Sequence, residues 1–320
     1  MLSLLSYRQL EKKLWLAVDK FEEYGIDPPA AGGQEPNLAL VLFCKNVAAD
    51  IDEWIRFHEL AGVRHFYLYD NGSTDGTAAR ARRHDGAEAA VRVFPWKMRG
   101  AAGGRLAGDQ ELAYVHAILN YGPRHRWMAF IDADEFIFPR RHDSIGAALE
   151  QLASFSCIAL PWNQFGHCGH ETRPAEPCVF AYRLRHQQSR YAHEHFKCIV
   201  DPCQIHTASI HHFHTRGMGE TVANDQGRVE PSFRKRHVPE FRSREHLQLN
   251  HYRTKSIAEN LAKSKAIRHG DSPQFRGPKV ISQIDILSRD TVEDDAAIEF
   301  LQRRGLGSCA DYQAYVEARS

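Results

Sequence analysis

The chain has 320 residues, 43% hydrophobic and 25% charged, enough to bury one sizeable core or two smaller ones. Its 41 Lys and Arg against 40 Asp and Glu leave no net field to draw in nucleic acid or an anionic membrane, so any anionic ligand must be held by local groups. The longest apolar stretches, such as Leu38–Cys44, fall far short of the roughly 20 residues of a membrane span, and Met1–Leu5 lacks the basic start and cleavage site of a signal peptide. A cytoplasmic location without a transmembrane segment is the expectation, with peripheral membrane contact left open.

In chain order, Leu10, Leu14, Val18 and Phe21 predict a helix over Tyr7–Tyr24, and Asp27 to Gly33 then reads as a linker. Leu38–Cys44 reads as a buried strand. A helix follows over Asp50–Leu60, with Asp50 as its cap, Glu53 completing a capping box, and Ile51, Trp54 and Ile55 on one face. His65–Tyr69 is a second strand, a helix runs on to Arg83, and Val91–Phe94 is a third strand. A helix at Asp109–Leu119, a strand at Trp127–Ile131, a helix at Ser144–Leu152 and a strand at Cys157–Trp162 continue the alternation. That rhythm predicts an α/β fold with a mostly parallel sheet flanked by helices.

Between Gly166 and His246 the rhythm degrades, and only Phe196–Val200 reads as a convincing strand. Helical character returns at Ser256–Arg268 and Ala296–Arg304. Residues 1–36 are expected to form a helical extension and linker, 37–300 the main domain, and 301–320 a helical tail packing on the same body.

Ligands of open α/β sheets sit at the carboxyl ends of the strands, which directs attention to Lys45-Asn46, Asp70-Asn71-Gly72-Ser73 and Asp132-Ala133-Asp134-Glu135. The acids of the third turn follow a buried strand and repel one another unless a cation neutralises them. Hard carboxylate oxygens suit Mg²⁺ or Mn²⁺; the alternative reading is a cap on a turn or helix. Asp70 and Asn71 offer hydrogen bonds to a base or ribose, and Asp75 is placed to cap the next helix.

The seven cysteines are an odd number without repeated spacing, which argues for reduced thiols. Cys198, Cys203, His206 and His211 are a second candidate set, a structural zinc site that would make this region a binding module. Neither a Gly-x-x-x-x-Gly-Lys loop nor a Gly-x-Gly-x-x-Gly fingerprint is present, against standard nucleotide and dinucleotide enzymes. The basic runs Arg80–Arg83 and Arg234–His237 read as solvated faces.

Several ordered segments carry a resemblance. Lys45-Asn46, then Asp52-Glu53-Trp54-Ile55 with His58, then HFYLYDNGSTDGT from His65 to Thr77, resemble the start of glycosyltransferase family 92 and its bacterial family-2-like relatives. WMAFIDADEF from Trp127 to Phe136 and WNQFGHCGH from Trp162 to His170 resemble the same family's aspartate and downstream Trp motifs. Lys197–Val200, His212–His214, Asn250-His251-Tyr252 and Thr254-Lys255-Ser256 continue the match, which spans about residues 38–300. Val47 stands where relatives usually carry an acid, and His167 and Cys168 stand where they carry a small polar residue, which points to a different acceptor pocket.

The resemblance implies a GT-A fold, a nucleotide-sugar donor, most commonly of UDP, a glycan or other hydroxyl acceptor, and a divalent metal. It implies Asp134 as ligand of the metal on the donor diphosphate, Asp132 on the ribose or the metal, and His251 completing the metal shell. Lys45, Asn46, Asp70 and Asn71 are then expected around the donor. An inverting reaction requires a base for the acceptor hydroxyl, and Glu171, His170 and Asp225 are the candidates. Trp162 and Phe165 are candidates for stacking on a sugar ring or for the core. A sugar-nucleotide hydrolase on a similar scaffold is a further alternative.

Overall fold

A computed structural model describes residues 24–97, 109–187, 195–267 and 288–318. The strands are β1 (Tyr24–Gly25), β2 (Glu35–Cys44), β3 (His65–Asp70), β4 (Ala90–Pro95), β5 (His125–Phe130), β6 (Glu135–Pro139), β7 (Cys157–Gln164) and β8 (Leu184–His186). They continue with β9 (Phe196–Val200), β10 (Ile205–Ala208), β11 (Phe213–Thr215), β12 (Val222–Ala223), β13 (Val229–Glu230), β14 (Leu247–His251) and β15 (Thr291–Glu293). The helices are α1 (Ile51–Leu60), α2 (Thr77–Arg83), α3 (Asp109–Tyr121), α4 (Ile145–Glu150), α5 (Cys178–Ala181), α6 (Ile257–Ile267), α7 (Ala296–Gln302) and α8 (Cys309–Glu317).

Successive side chains of a strand point to opposite faces, and β2 is apolar on both. Leu38, Leu40, Leu42 and Cys44 enter one core with Trp54, Ile55 and Phe57 of α1. Ala39 and Val41 enter a second core with Ala113, Tyr114, Ala117 and Ile118 of α3. A strand buried on both sides is the expected partner of a sheet sandwiched between helices. Three strands run parallel to it: β5 on one side, with a register shift between Glu35 and Leu38, and β3 and then β4 on the other.

Beyond β5 the sheet departs from the parallel expectation. β9 is inserted antiparallel between β5 and β7, and β7 then pairs in parallel with β12 and β14. Among the described residues the main sheet has ten strands. Four of them, β6, β12, β13 and β14, fall where the sequence predicts none, and β6 and β14 are decisive for the site. They pair antiparallel with His251 opposite Glu135, so the end of β14 lies beside the turn that leaves β5.

Other differences have local causes. Asp50 precedes α1 without a side-chain cap bond, because its carboxylate is taken by Lys255 and Arg173, each at 2.6 Å. Glu53 does not close a capping box; it accepts the backbone N–H of Cys178 at 2.8 Å and of Val179 at 3.3 Å. The 166–246 stretch holds β8, β10, β11, β12 and β13 as well as β9, all too short to show periodicity. Most of the expected helix before Tyr24 lies outside the described residues, and Tyr24 itself is in β1, paired with β10. At the carboxyl end Phe300 packs 5.1 Å from Phe57, Tyr312 is buried, and the Arg56 guanidinium lies 3.8 Å over the Tyr315 ring.

Candidate functional site

The turn after β5 is closed twice. The Glu135 N–H donates to the Asp132 carbonyl at 3.0 Å, and the Glu135 carboxylate reaches back to the Asp132 N–H at 2.8 Å. Glu135 is therefore a buried brace of the turn, whereas Asp132 keeps a half-exposed side chain. Lys197 approaches from β9, its ammonium 3.2 Å from Asp132 and 3.5 Å from Glu135. Burial works against that ammonium, yet the two carboxylates outweigh it and hold Lys197 above its ordinary range. Burial pushes Glu135 well above the usual carboxylate range despite Lys197.

Asp134, two residues on, is buried, and its carbonyl accepts the Tyr252 N–H at 2.8 Å. One carboxylate oxygen faces His251 Nε2 at 3.5 Å; the other accepts from Lys263 of α6 at 2.7 Å. Burial pushes this carboxyl up, but Lys263 and His251 prevail and hold it well below the usual range. Burial pulls the imidazole of His251 down, which favours its neutral form. The His251 ring lies 4.2 Å from Trp162, and its Nδ1 is buried without a hydrogen-bond partner.

The first two strand-end turns form one unit. Asn46 adopts a left-handed φ of 56°, which Asn tolerates, and its side-chain oxygen accepts the Thr74 N–H at 2.8 Å. The N–H groups of Asn46, Val47 and Ala48 donate in turn to Ser73, Thr77 and Asp75. Asp75 also accepts from the Thr77 N–H at 3.0 Å, at the start of α2. Asp70 accepts from Ser73 N–H at 3.0 Å and Asn71 lies 3.5 Å from Asp109, leaving both side chains half-buried beside exposed Lys45 and Lys97. Gly72, at φ 69°, lets the Lys97 stem lie against this turn: a Cβ there would stand 2.5 Å from its Cδ.

The base candidates are separated. Asp225 is buried at the far end of β14 from His251, accepting the N–H groups of His246 and Leu247 at 2.8 and 3.0 Å. His170 donates through Nε2 to the Ala181 carbonyl at 3.0 Å. Glu171 is exposed; the carbonyls of His170 and Glu171 accept the first N–H groups of α6, at Ile257 and Ala258. Phe165 is fully buried against Tyr252 and belongs to the core, whereas Trp162 lies in an aromatic group with His251, His195 and His211.

The alternative zinc set is not assembled: Cys198 lies against the Arg236 guanidinium, while Cys203 lies against Gln34 and the Gly122 carbonyl. Among the described residues no three His, Cys, Asp or Glu side chains are grouped to hold a metal by themselves. All seven cysteines are free thiols. Arg236 is buried over Phe196, which corrects the reading of its run as a solvated face. Lys197 and Lys263 were not predicted as site residues. A lone Lys inside the apolar run Phe196–Val200 is a signal for the first; an exposed helical Lys gives none for the second. No described helix is long and apolar enough to cross a membrane.

A family model described as glycosyltransferase family 92 matches residues 42–274. A glycosyltransferase family 92 protein of Ricinus communis is 27% identical over 212 residues, covering 63% of this chain and 36% of the relative. One of Oryza sativa subsp. japonica is 27% identical over 199 residues, covering 60% and 32%. One of Arabidopsis thaliana is 25% identical over 205 residues, covering 58% and 33%. The chain thus spans about a third of the length of the curated relatives it matches. With the match covering more than half of its residues, including the strand-end turns and His251, the chain belongs to glycosyltransferase family 92.

Proposed function

We propose that the protein transfers a sugar from a nucleotide diphosphate, UDP in the first instance, to a hydroxyl acceptor on a GT-A type scaffold, with inversion. The observation that carries this reading is the approach of Asp134 to His251 where β5 and β14 end, with Asp132 in the same turn and the interlocked turns after β2 and β3 at the same end of the sheet. Family membership supports glycosyl transfer as the class of reaction.

Asp134 and His251 supply two ligands of the kinds that hold Mn²⁺ or Mg²⁺, one carboxylate and one imidazole whose Nε2 faces it at 3.5 Å. Two protein ligands fit a cation whose remaining positions go to substrate phosphates and water. When bound, such a cation supplies positive charge against the leaving diphosphate. Lys197 and Glu135 hold the turn, and so fix where Asp132 presents its half-exposed carboxylate. Asp70, Asn71, Lys45 and the Asn46 turn are assigned to the nucleoside end. Glu171 is retained as acceptor base because it alone of the three candidates is exposed and joined to α6 beside the site.

Calorimetric titration of UDP and GDP with and without Mn²⁺, on wild type and Asp134→Ala, tests the reading. UDP binding that needs both Mn²⁺ and Asp134 is the expected result. A folded wild type that binds neither nucleotide under any metal condition overturns the donor-site assignment.

A further inference from the structure

Two ammonium groups reach the aspartates of the turn, and they differ in one respect. Lys197 is 1% exposed on a central strand and is shared between Asp132 and Glu135. Lys263 is 62% exposed, on a long stem that reaches Asp134 from the side of the helix. Asp134 itself is buried, but an ammonium that stands largely in solvent can change partner by side-chain rotation alone.

The helix that carries Lys263 is itself held. Its first N–H groups bond to the His170 and Glu171 carbonyls, and Ser256 and Glu259 form a reciprocal cap at 2.6 to 3.3 Å. Arg173 ties Glu259 to Asp50 at 2.8 and 2.6 Å, and Lys255 joins Asp50 as well. Movement of the Lys263 ammonium is therefore a matter of its own side-chain torsions rather than of the helix.

We propose that Lys263 is a donor-binding residue that occupies the Asp134 carboxylate in the free protein and transfers its ammonium to the diphosphate when the nucleotide enters. The proposal rests on the donor-site reading above. A diphosphate brought beside Asp132 and Asp134 meets like charge, and among the described residues Lys263 is a largely exposed cation that already reaches this turn without being locked in it. The same Asp134 oxygen that Lys263 leaves becomes free to ligate a cation. The lysine thus competes with metal for Asp134 but cooperates with the nucleotide.

Lys263→Ala separates these effects because their signs are opposite. Mn²⁺ alone, titrated into nucleotide-free protein and followed by calorimetry and electron paramagnetic resonance, is expected to bind about two- to fivefold more tightly in the variant. UDP at saturating Mn²⁺ is expected to bind about tenfold more weakly, while uridine binds equally to both proteins. Lys263→Arg, which keeps the charge, is expected to recover most of the UDP affinity. Equal loss of Mn²⁺, UDP and uridine binding would mark a structural prop and overturn the proposal, as would UDP affinity unchanged in Lys263→Ala. A wild type that binds no UDP at all overturns both this proposal and the donor-site reading; binding indifferent to Lys263 overturns this proposal alone.

Discussion

Glu53→Gln is expected to stabilise the protein relative to wild type above neutral pH and not in acid. Glu53 is buried, and burial pushes its carboxyl from 4.5 up to about 7, with the Cys178 and Val179 N–H groups pulling the other way. A folded-state value above the unfolded one means that, between these limits, the folded chain keeps a proton the unfolded chain has lost. Stability therefore falls as pH rises through that window and levels off above it. At about 1.4 kcal/mol per pH unit the accumulated cost is about 3 kcal/mol by pH 8, and glutamine, which does not ionise, escapes it.

Glutamine has one acceptor oxygen where Glu53 uses two, so it retains the 2.8 Å bond to Cys178 and loses the 3.3 Å bond to Val179. That cost, about 1 kcal/mol, does not depend on pH. Urea unfolding of both proteins across the window removes it, because only the change in their stability gap with pH is compared. The gap is expected to move by about 3 kcal/mol in favour of the variant between about pH 4.5 and about pH 8. A gap that stays flat refutes the claim that Glu53 ionises at the expense of the fold.

Other substitutions probe the turn and its supports. Lys197→Met leaves Glu135 and Asp132 without their shared ammonium and is expected to cost about 3 kcal/mol in urea unfolding. Adding Glu135→Gln to it should restore part of that loss; equal instability of single and double variants would mean the charges are not the cause. Gly62→Ala places a Cβ 2.7 Å from that of Ser144, at a φ of 94°, and Ser144 caps α4 through Ala147 N–H. It should cost about 1–3 kcal/mol, and an unchanged melting temperature would contradict it.

The elements read most accurately from sequence are those whose pattern is set locally. β9 coincides with its predicted span, and β3, β7, α1 and α4 depart from theirs by no more than two residues at either end, because an apolar run or a capping Ser marks each one. β6 and β14 were missed for a physical reason. Glu135–Pro139 follows the acidic turn directly and has only the three apolar residues Phe136–Phe138 before Pro139, and Leu247–His251 carries Gln248, Asn250 and His251, so neither shows an apolar run of ordinary strand length. Their polar groups are satisfied by pairing with each other and with β7, a long-range arrangement that local pattern does not encode. The same reason misplaced Asp50 and Glu53. Their residue types and spacing suit a capping box, and nothing nearby in sequence reveals that Lys255, Arg173 and the start of α5 compete for them.

The repulsion among Asp132, Asp134 and Glu135 leads from the sequence to an expectation of Mg²⁺ or Mn²⁺, and the folded chain brings two ammonium groups to the aspartates of that turn. In the folded chain Lys197 arrives from 65 residues away and Lys263 from 129, and burial pushes Glu135 towards its neutral form. With Lys197 beside Asp132 and Lys263 beside Asp134, each aspartate of the turn already has an ammonium partner in the free chain. On the donor-site reading, an incoming diphosphate would add negative charge to that pairing. Its charge could be met by an added cation, by the release of Lys263 from Asp134, or by both. Since Lys263 shields the oxygen that a metal would ligate, the order of events at this turn follows from which of the two lysines is able to leave.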